Sequence, residues 1–146
     1  MITDKQARFE WDGAITVTAV STDKIDLAVV NRDLGMVDDL YIVGVVTTAF
    51  TAAGAATLAC DLIGDDNASL SSPTTLQTLM AATGKATLIA GYTMFKAKFA
   101  LGKITERYLG LQWTVATGPM TAGAVKAFLC RGVDHQIYYP RGYVNH

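Results

Sequence analysis

The stretch 107–115, Arg-Tyr-Leu-Gly-Leu-Gln-Trp-Thr-Val, decides the fold class. Leu109, Leu111, Trp113 and Val115 fall on one side of an extended chain, and Tyr108, Gly110, Gln112 and Thr114 on the other. A period of two is the signature of a strand with one face in a core. Upstream, residues 92–99 repeat it, with Phe95, Ala97 and Phe99 opposite Met94, Lys96 and Lys98. Residues 56–63 do the same, with Leu58, Cys60 and Leu62 opposite Thr57, Asp61 and Ile63. Residues 14–20 (AITVTAV) set Ile15 and Val17 against Thr16 and Thr18. Residues 24–29, 86–90 and 125–131 read as further strands. Residues 40–48 (LYIVGVVTT) are apolar on both faces, which predicts a central strand or one covered by a partner.

The punctuation agrees with this reading. Residues 31–35 and the polar stretch 65–73 read as loops, and 76–82 reads equally as a strand or one helical turn. Residues 52–59 are alanine-rich, but Gly54 and β-branched neighbours argue against a helix. Short strands, about eight to ten of them, with turn signals between them predict an all-β sandwich or barrel. The expected core is Leu58, Leu62, Phe95, Phe99, Leu109, Leu111, Trp113 and Leu129. One echo stands out: Phe50-Thr-Ala-Ala-Gly-Ala resembles Met120-Thr-Ala-Gly-Ala, as two similar hairpins would.

The chain has 146 residues, the length of one ordinary domain. Charged residues make up only 17% and hydrophobic residues 51%, with a mean hydropathy of +0.28. The longest mostly apolar run, 40–46, is far short of the ~20 residues of a membrane helix. Residues 1–13 interleave charged and apolar groups and do not read as a secretory signal. Twelve Lys and Arg against thirteen Asp and Glu leave no basic excess for nucleic acid. No membrane and no nucleic acid are therefore expected as partners. Cys60 and Cys130 lie far apart within apolar runs and are expected as buried, unlinked thiols.

Catalytic chemistry finds little footing. His135 beside Asp134 lacks a nucleophile motif, and His146 is the last residue. Asp38-Asp39 and Asp65-Asp66 are adjacent pairs, which point apart on a strand. Asp61, Asp65, Asp66 and Asn67 offer oxygens but not the order of a calcium loop. No Gly-rich phosphate loop is present, and Arg107 reads as half of an edge ion pair. The expectation is no enzyme, no cofactor, no catalytic residue and no metal. Scarce charge together with 21 alanines and 18 threonines points instead to surface that a partner covers. The candidates are the two ends: an N-terminal arm (1–13) with Arg8, Phe9 and Trp11, and a C-terminal tail (132–146) with Tyr138, Tyr139, Arg141 and Tyr143. Aromatic residues and arginine are enriched at interface hot spots, and the arginines would pair with carboxylates.

Several stretches, in order along the chain, carry a family resemblance. They are Met1-Ile-Thr-Asp-Lys-Gln, Thr18-Ala-Val-Ser-Thr with Ile25-Asp-Leu, and Ala49-Phe-Thr-Ala-Ala-Gly-Ala-Ala-Thr-Leu. Then come Ala90-Gly-Tyr, Thr105-Glu-Arg-Tyr-Leu, Thr117-Gly-Pro-Met-Thr-Ala-Gly and Tyr139-Pro-Arg-Gly-Tyr. Together they resemble the capsid cement (decoration) proteins of tailed bacteriophages, of the jelly-roll type seen on a Bordetella phage; residues 68–85 have no matching stretch. The resemblance implies a single jelly-roll β-sandwich of about eight antiparallel strands. It also implies a structural virion protein, a homo-oligomer (a dimer), that sits on the outer capsid surface and bridges major capsid protein subunits. Such a protein would be assembled in the bacterial host cytoplasm. The rival is a carbohydrate- or cell-wall-binding β-sandwich with Tyr92, Tyr138 and Tyr139 as stacking rings.

Overall fold

The structure, a computed structural model, describes residues 5–28, 40–99 and 101–131. Among them are nine strands: β1 (Arg8–Ala14), β2 (Ala19–Val20), β3 (Ile25–Asp26), β4 (Leu40–Thr51), β5 (Thr57–Asp65), β6 (Thr74–Gly84), β7 (Thr93–Lys98), β8 (Tyr108–Ala116) and β9 (Ala122–Arg131). Two short 3₁₀ turns, Lys5–Ala7 and Leu101–Lys103, are the only helical elements in the described residues.

The strands form two antiparallel sheets. One has the order β1-β9-β4-β7; the other has β2-β8-β5-β6, with β3 also on β8. β2 and β3 are two pieces of a single edge strand, since both pair with β8. Counted that way, each sheet has four strand positions, and the order is that of a jelly roll. The expected all-β jelly-roll sandwich is therefore the fold.

The inward residues of the alternating stretches meet between the sheets. All eight expected core residues are buried there. The Phe95 ring on β7 faces Trp113 on β8 across the core, with centroids 6.4 Å apart and planes tilted by 34°. Opposite Phe95 on β4 sits Gly44, where a Cβ would lie 2.4 Å from the ring. The missing side chain is thus the space that the ring fills. β4 is central, between β9 and β7, and apolar on both faces as its sequence requires. Its outer face supplies Val43 to a second, smaller cluster with Phe128 and Cys130, flanked by Tyr41 and Val45. Cys60 lies in the main core and Cys130 in this outer cluster; both are buried and no disulfide joins them.

Several expectations need correction. Residues 8–14 are not a free arm but an edge strand on β9. Residues 14–20 are not one strand: β1 ends at Ala14, the chain crosses to the other sheet, and β2 starts at Ala19. Ile15 is buried, as the alternation asked, but Val17 is 58% exposed. Residues 24–29 shrink to β3, because the chain turns at Leu27 and Ala28. Residues 86–90 form turns, in which Leu88 N donates to Lys85 O (3.1 Å) and Phe50 N to Leu88 O (3.0 Å). Residues 76–82 lie within β6.

The two echoing stretches are not equivalent hairpins either. One is the end of β4 and its turn, the other the entry to β9, and they lie side by side. Thr121 N donates to Thr51 O (2.7 Å), and the two threonine hydroxyls are 2.8 Å apart. The Phe50 ring occupies the space above Gly123, whose φ of +147° few other residues adopt.

Candidate interaction surface

The N-terminal candidates split along β1. A strict alternation would put Phe9 and Trp11 on the same face. Instead the pairing with β9 shifts register between Arg8 and Glu10 and again between Trp11 and Gly13. Bulges of this kind re-aim side chains at sheet edges. Phe9 and Glu10 consequently turn inward, and Trp11 and Asp12 turn outward. Phe9 is fully buried in the main core, so it is corrected from interface residue to core residue.

Trp11 is 37% exposed and has two cations against its ring. The guanidinium carbon of Arg8 is 3.6 Å from the ring centroid and Lys126 Nζ is 4.5 Å from it. Both contacts are cation–π geometry. Among the described residues Arg8 Nε is buried without a hydrogen-bond partner. Lys126 is also 3.2 Å from Asp12 Oδ2. The Thr47 hydroxyl, and then Lys126, hold the Asp12 carboxyl below its ordinary pKa. Asp12 sits at a φ of +57°, at the bulge that re-aims it. The outcome is a partly exposed ring held against two cations.

Glu10 anchors this edge from inside. Although only 3% exposed, its carboxylate accepts from Thr22 Oγ1 (2.7 Å) and Thr22 N (3.1 Å). It thereby ties β1 to the 21–24 segment that interrupts β2 and β3. Ser21 completes the tie, exchanging hydrogen bonds with the backbone of Leu111: its N donates to Leu111 O (2.8 Å) and its Oγ accepts from Leu111 N (3.0 Å).

Two residues here were not foreseen. Lys126 and Asp12 enter only through the β1–β9 register, which sets Trp11 opposite Lys126. The tail candidates Tyr138, Tyr139, Arg141 and Tyr143 lie outside the described residues, as do Asp38, Asp39, Asp134, His135 and His146. Tyr92, the remaining ring of the carbohydrate reading, is half-buried and packs against the main core.

The acidic loop is occupied with its own folding. Asp65 accepts from Asn67 N and Ser72 N, each at 2.9 Å, and these bonds lower its pKa. Asp66 Oδ1 accepts from Arg107 N (3.2 Å), and Asn67 Oδ1 accepts from Ser69 N (2.9 Å). Arg107 makes an ion pair, as expected, but with Asp26 on β3: two parallel bonds of 3.0 Å. Among the described residues no group of three or more His, Cys, Asp or Glu is placed to hold a metal ion.

Residues 9–129 match the Bbp16 family model, a family named for a Bordetella phage protein. No curated protein matches the chain.

Proposed function

We propose, since the chain belongs to the Bbp16 family, that it is a structural protein of a tailed-phage particle that cements the head. In this reading it binds the outer surface of the assembled capsid, bridges major capsid protein subunits and works as a homodimer. It would fold in the bacterial cytoplasm, where two buried, unlinked cysteines are at home. The family membership, together with the ordered resemblance along the chain, carries the reading. The described surface supports it with a suitable anchor. Trp11 needs little ordering on contact, because Arg8 and Lys126 already hold its ring. Burying such a ring contributes roughly 1.5–3 kcal/mol, and Trp and Arg are typical hot spots. The flanking cations suit acidic groups at the margin of a coat-protein site.

The test is co-sedimentation of the purified chain with phage heads that lack it, over a range of concentrations. Wild type should pellet with heads to saturation and raise their resistance to heat. Trp11→Ala should bind at least tenfold more weakly while keeping the wild-type circular dichroism. Failure of wild type to bind heads would overturn the reading. A Trp11→Ala variant that binds as wild type does would remove this edge from the contact.

A further inference from the structure

Among the described residues the two ends of the sandwich differ sharply in charge. At one end the segments 15–18, 52–56, 85–92 and 117–121 come together. Backbone bonds join them to one another and to the strand ends: Met120 N to Thr16 O (2.9 Å), Lys85 N to Ala56 O (3.3 Å) and Ile15 N to Gly123 O (3.0 Å). Among all these residues Lys85 is the one with a charged side chain, and its ammonium is turned onto the Ala52 carbonyl. The opposite end carries exposed Asp23, Lys24, Asp66, Lys103 and Arg107. Three large apolar side chains are exposed among the described residues, and two of them stand at the uncharged end: Val17 at 58% and Ile89 at 59%. The third is Trp11, on the β1 edge.

We propose that this uncharged end is the contact surface between two copies of the chain. In a two-fold dimer the same patch meets itself. A patch of one charge sign would repel its copy, and a patch of mixed charge would have to desolvate its ions. This end brings only Lys85, whose ammonium is turned onto the Ala52 carbonyl of its own chain, so the same end of a second copy matches it without exposed charges of either sign. Its size also fits. The four segments present about twenty residues that are not buried, the number one partner contributes to an interface of standard area. Exposed alanines, glycines and Pro119 let two such ends approach closely, with Val17 and Ile89 as the apolar contacts. Self-association then uses one end of the sandwich and leaves Arg8, Trp11 and Lys126 free for the head. The proposal rests on the dimer part of the reading above and not on head binding.

Sedimentation velocity of the full chain tests it, at low and high salt and across a concentration series. Wild type should be a dimer whose affinity changes less than threefold with salt, because the one ammonium at this end, Lys85, is turned onto the Ala52 carbonyl. The double variant Val17→Lys, Ile89→Lys should associate at least tenfold more weakly, with unchanged circular dichroism and melting temperature. Trp11→Ala should remain a dimer. If the double variant dimerises as wild type does, the surface is wrong while the dimer stands. If the double variant stays dimeric but loses head binding, this end faces the shell, and the proposal is overturned. A wild-type chain that is monomeric throughout overturns both dimer and surface, while head binding is still read independently by co-sedimentation.

Discussion

Gly44→Ala puts one methyl group where the core has no room. The new Cβ would lie 2.4 Å from Phe95 Cζ, and two further ring carbons are within 3 Å. Ordinary carbon contacts are about 3.5–4.0 Å, so the ring would have to retreat by roughly 1 Å or more. Behind it is Trp113, itself fully buried, with its centroid 6.4 Å away. Overpacking of this kind costs about 1–3 kcal/mol, offset by the ~0.5–1 kcal/mol that alanine gains over glycine within a strand. The net loss should be about 1–2 kcal/mol. With a urea slope of about 1–3 kcal/mol/M, the denaturation midpoint should fall by roughly 0.3–2 M. Gly84→Ala is the control, because a Cβ there meets nothing within 4 Å. It should change stability by less than about 0.5 kcal/mol or raise it slightly. Phe95→Leu combined with Gly44→Ala should be less damaging than the sum of the two, since the smaller side chain yields the space. A Gly44→Ala protein as stable as wild type would refute the β4–β7 register and the placement of the Phe95 ring.

Other outcomes follow from the same contacts. Glu10→Ala should cost about 1–3 kcal/mol in urea denaturation, because Thr22 loses both partners at a buried tie. Trp113→Ala should cost about 3–5 kcal/mol or prevent folding, measured the same way. Burial pushes the Cys60 thiol well above its ordinary pKa, so it should resist alkylation at pH 8 until denaturant is added; fast labelling of the native chain would contradict its place in the core. The Asp65 carboxyl titrates below its ordinary value because backbone N–H groups favour its charged form. Its contribution is therefore complete above the unfolded carboxyl pKa and is lost as pH falls through the lower folded value. Exchange of the Asn67 and Ser72 amides, compared with other loop amides at matched intrinsic rates, should show their protection fading over that acid window and absent in Asp65→Ala at neutral pH.

The parts of this fold that were legible in the sequence are those where alternation is unbroken. β5, β7 and β8 each carry a period-two pattern, and Leu58, Leu62, Phe95, Leu109, Leu111 and Trp113 are core; Met94 and Ile63, read onto the opposite faces, are buried as well, Met94 in the main core where the β4–β7 pairing shifts register. Legibility failed where the backbone departs from a regular pleat. β1 contains two bulges, so its burial runs in pairs and Phe9 could not be told from Trp11. Residues 14–20 alternate well in composition, yet the crossing between sheets breaks them, because hydrogen-bond partners are found on β9 and then on β8. Residues 86–90 have strand-like composition but close on themselves as turns. The candidate surface was half legible: Arg8 and Trp11 were visible as types, whereas Lys126 and Asp12 depend on which strand lies beside β1. That neighbour is the last described strand in the chain, and no local pattern reveals it.

The most direct measurement of the central claim is a cryo-electron microscopy map of the native phage head at a resolution that traces strands. The account expects jelly-roll sandwiches on the outside of the shell, each spanning more than one major capsid protein subunit, with the Arg8–Trp11–Lys126 edge at a coat-protein contact. A complete head whose outer surface lacks this sandwich, or a map that places the chain inside the shell or only in the tail, would contradict it.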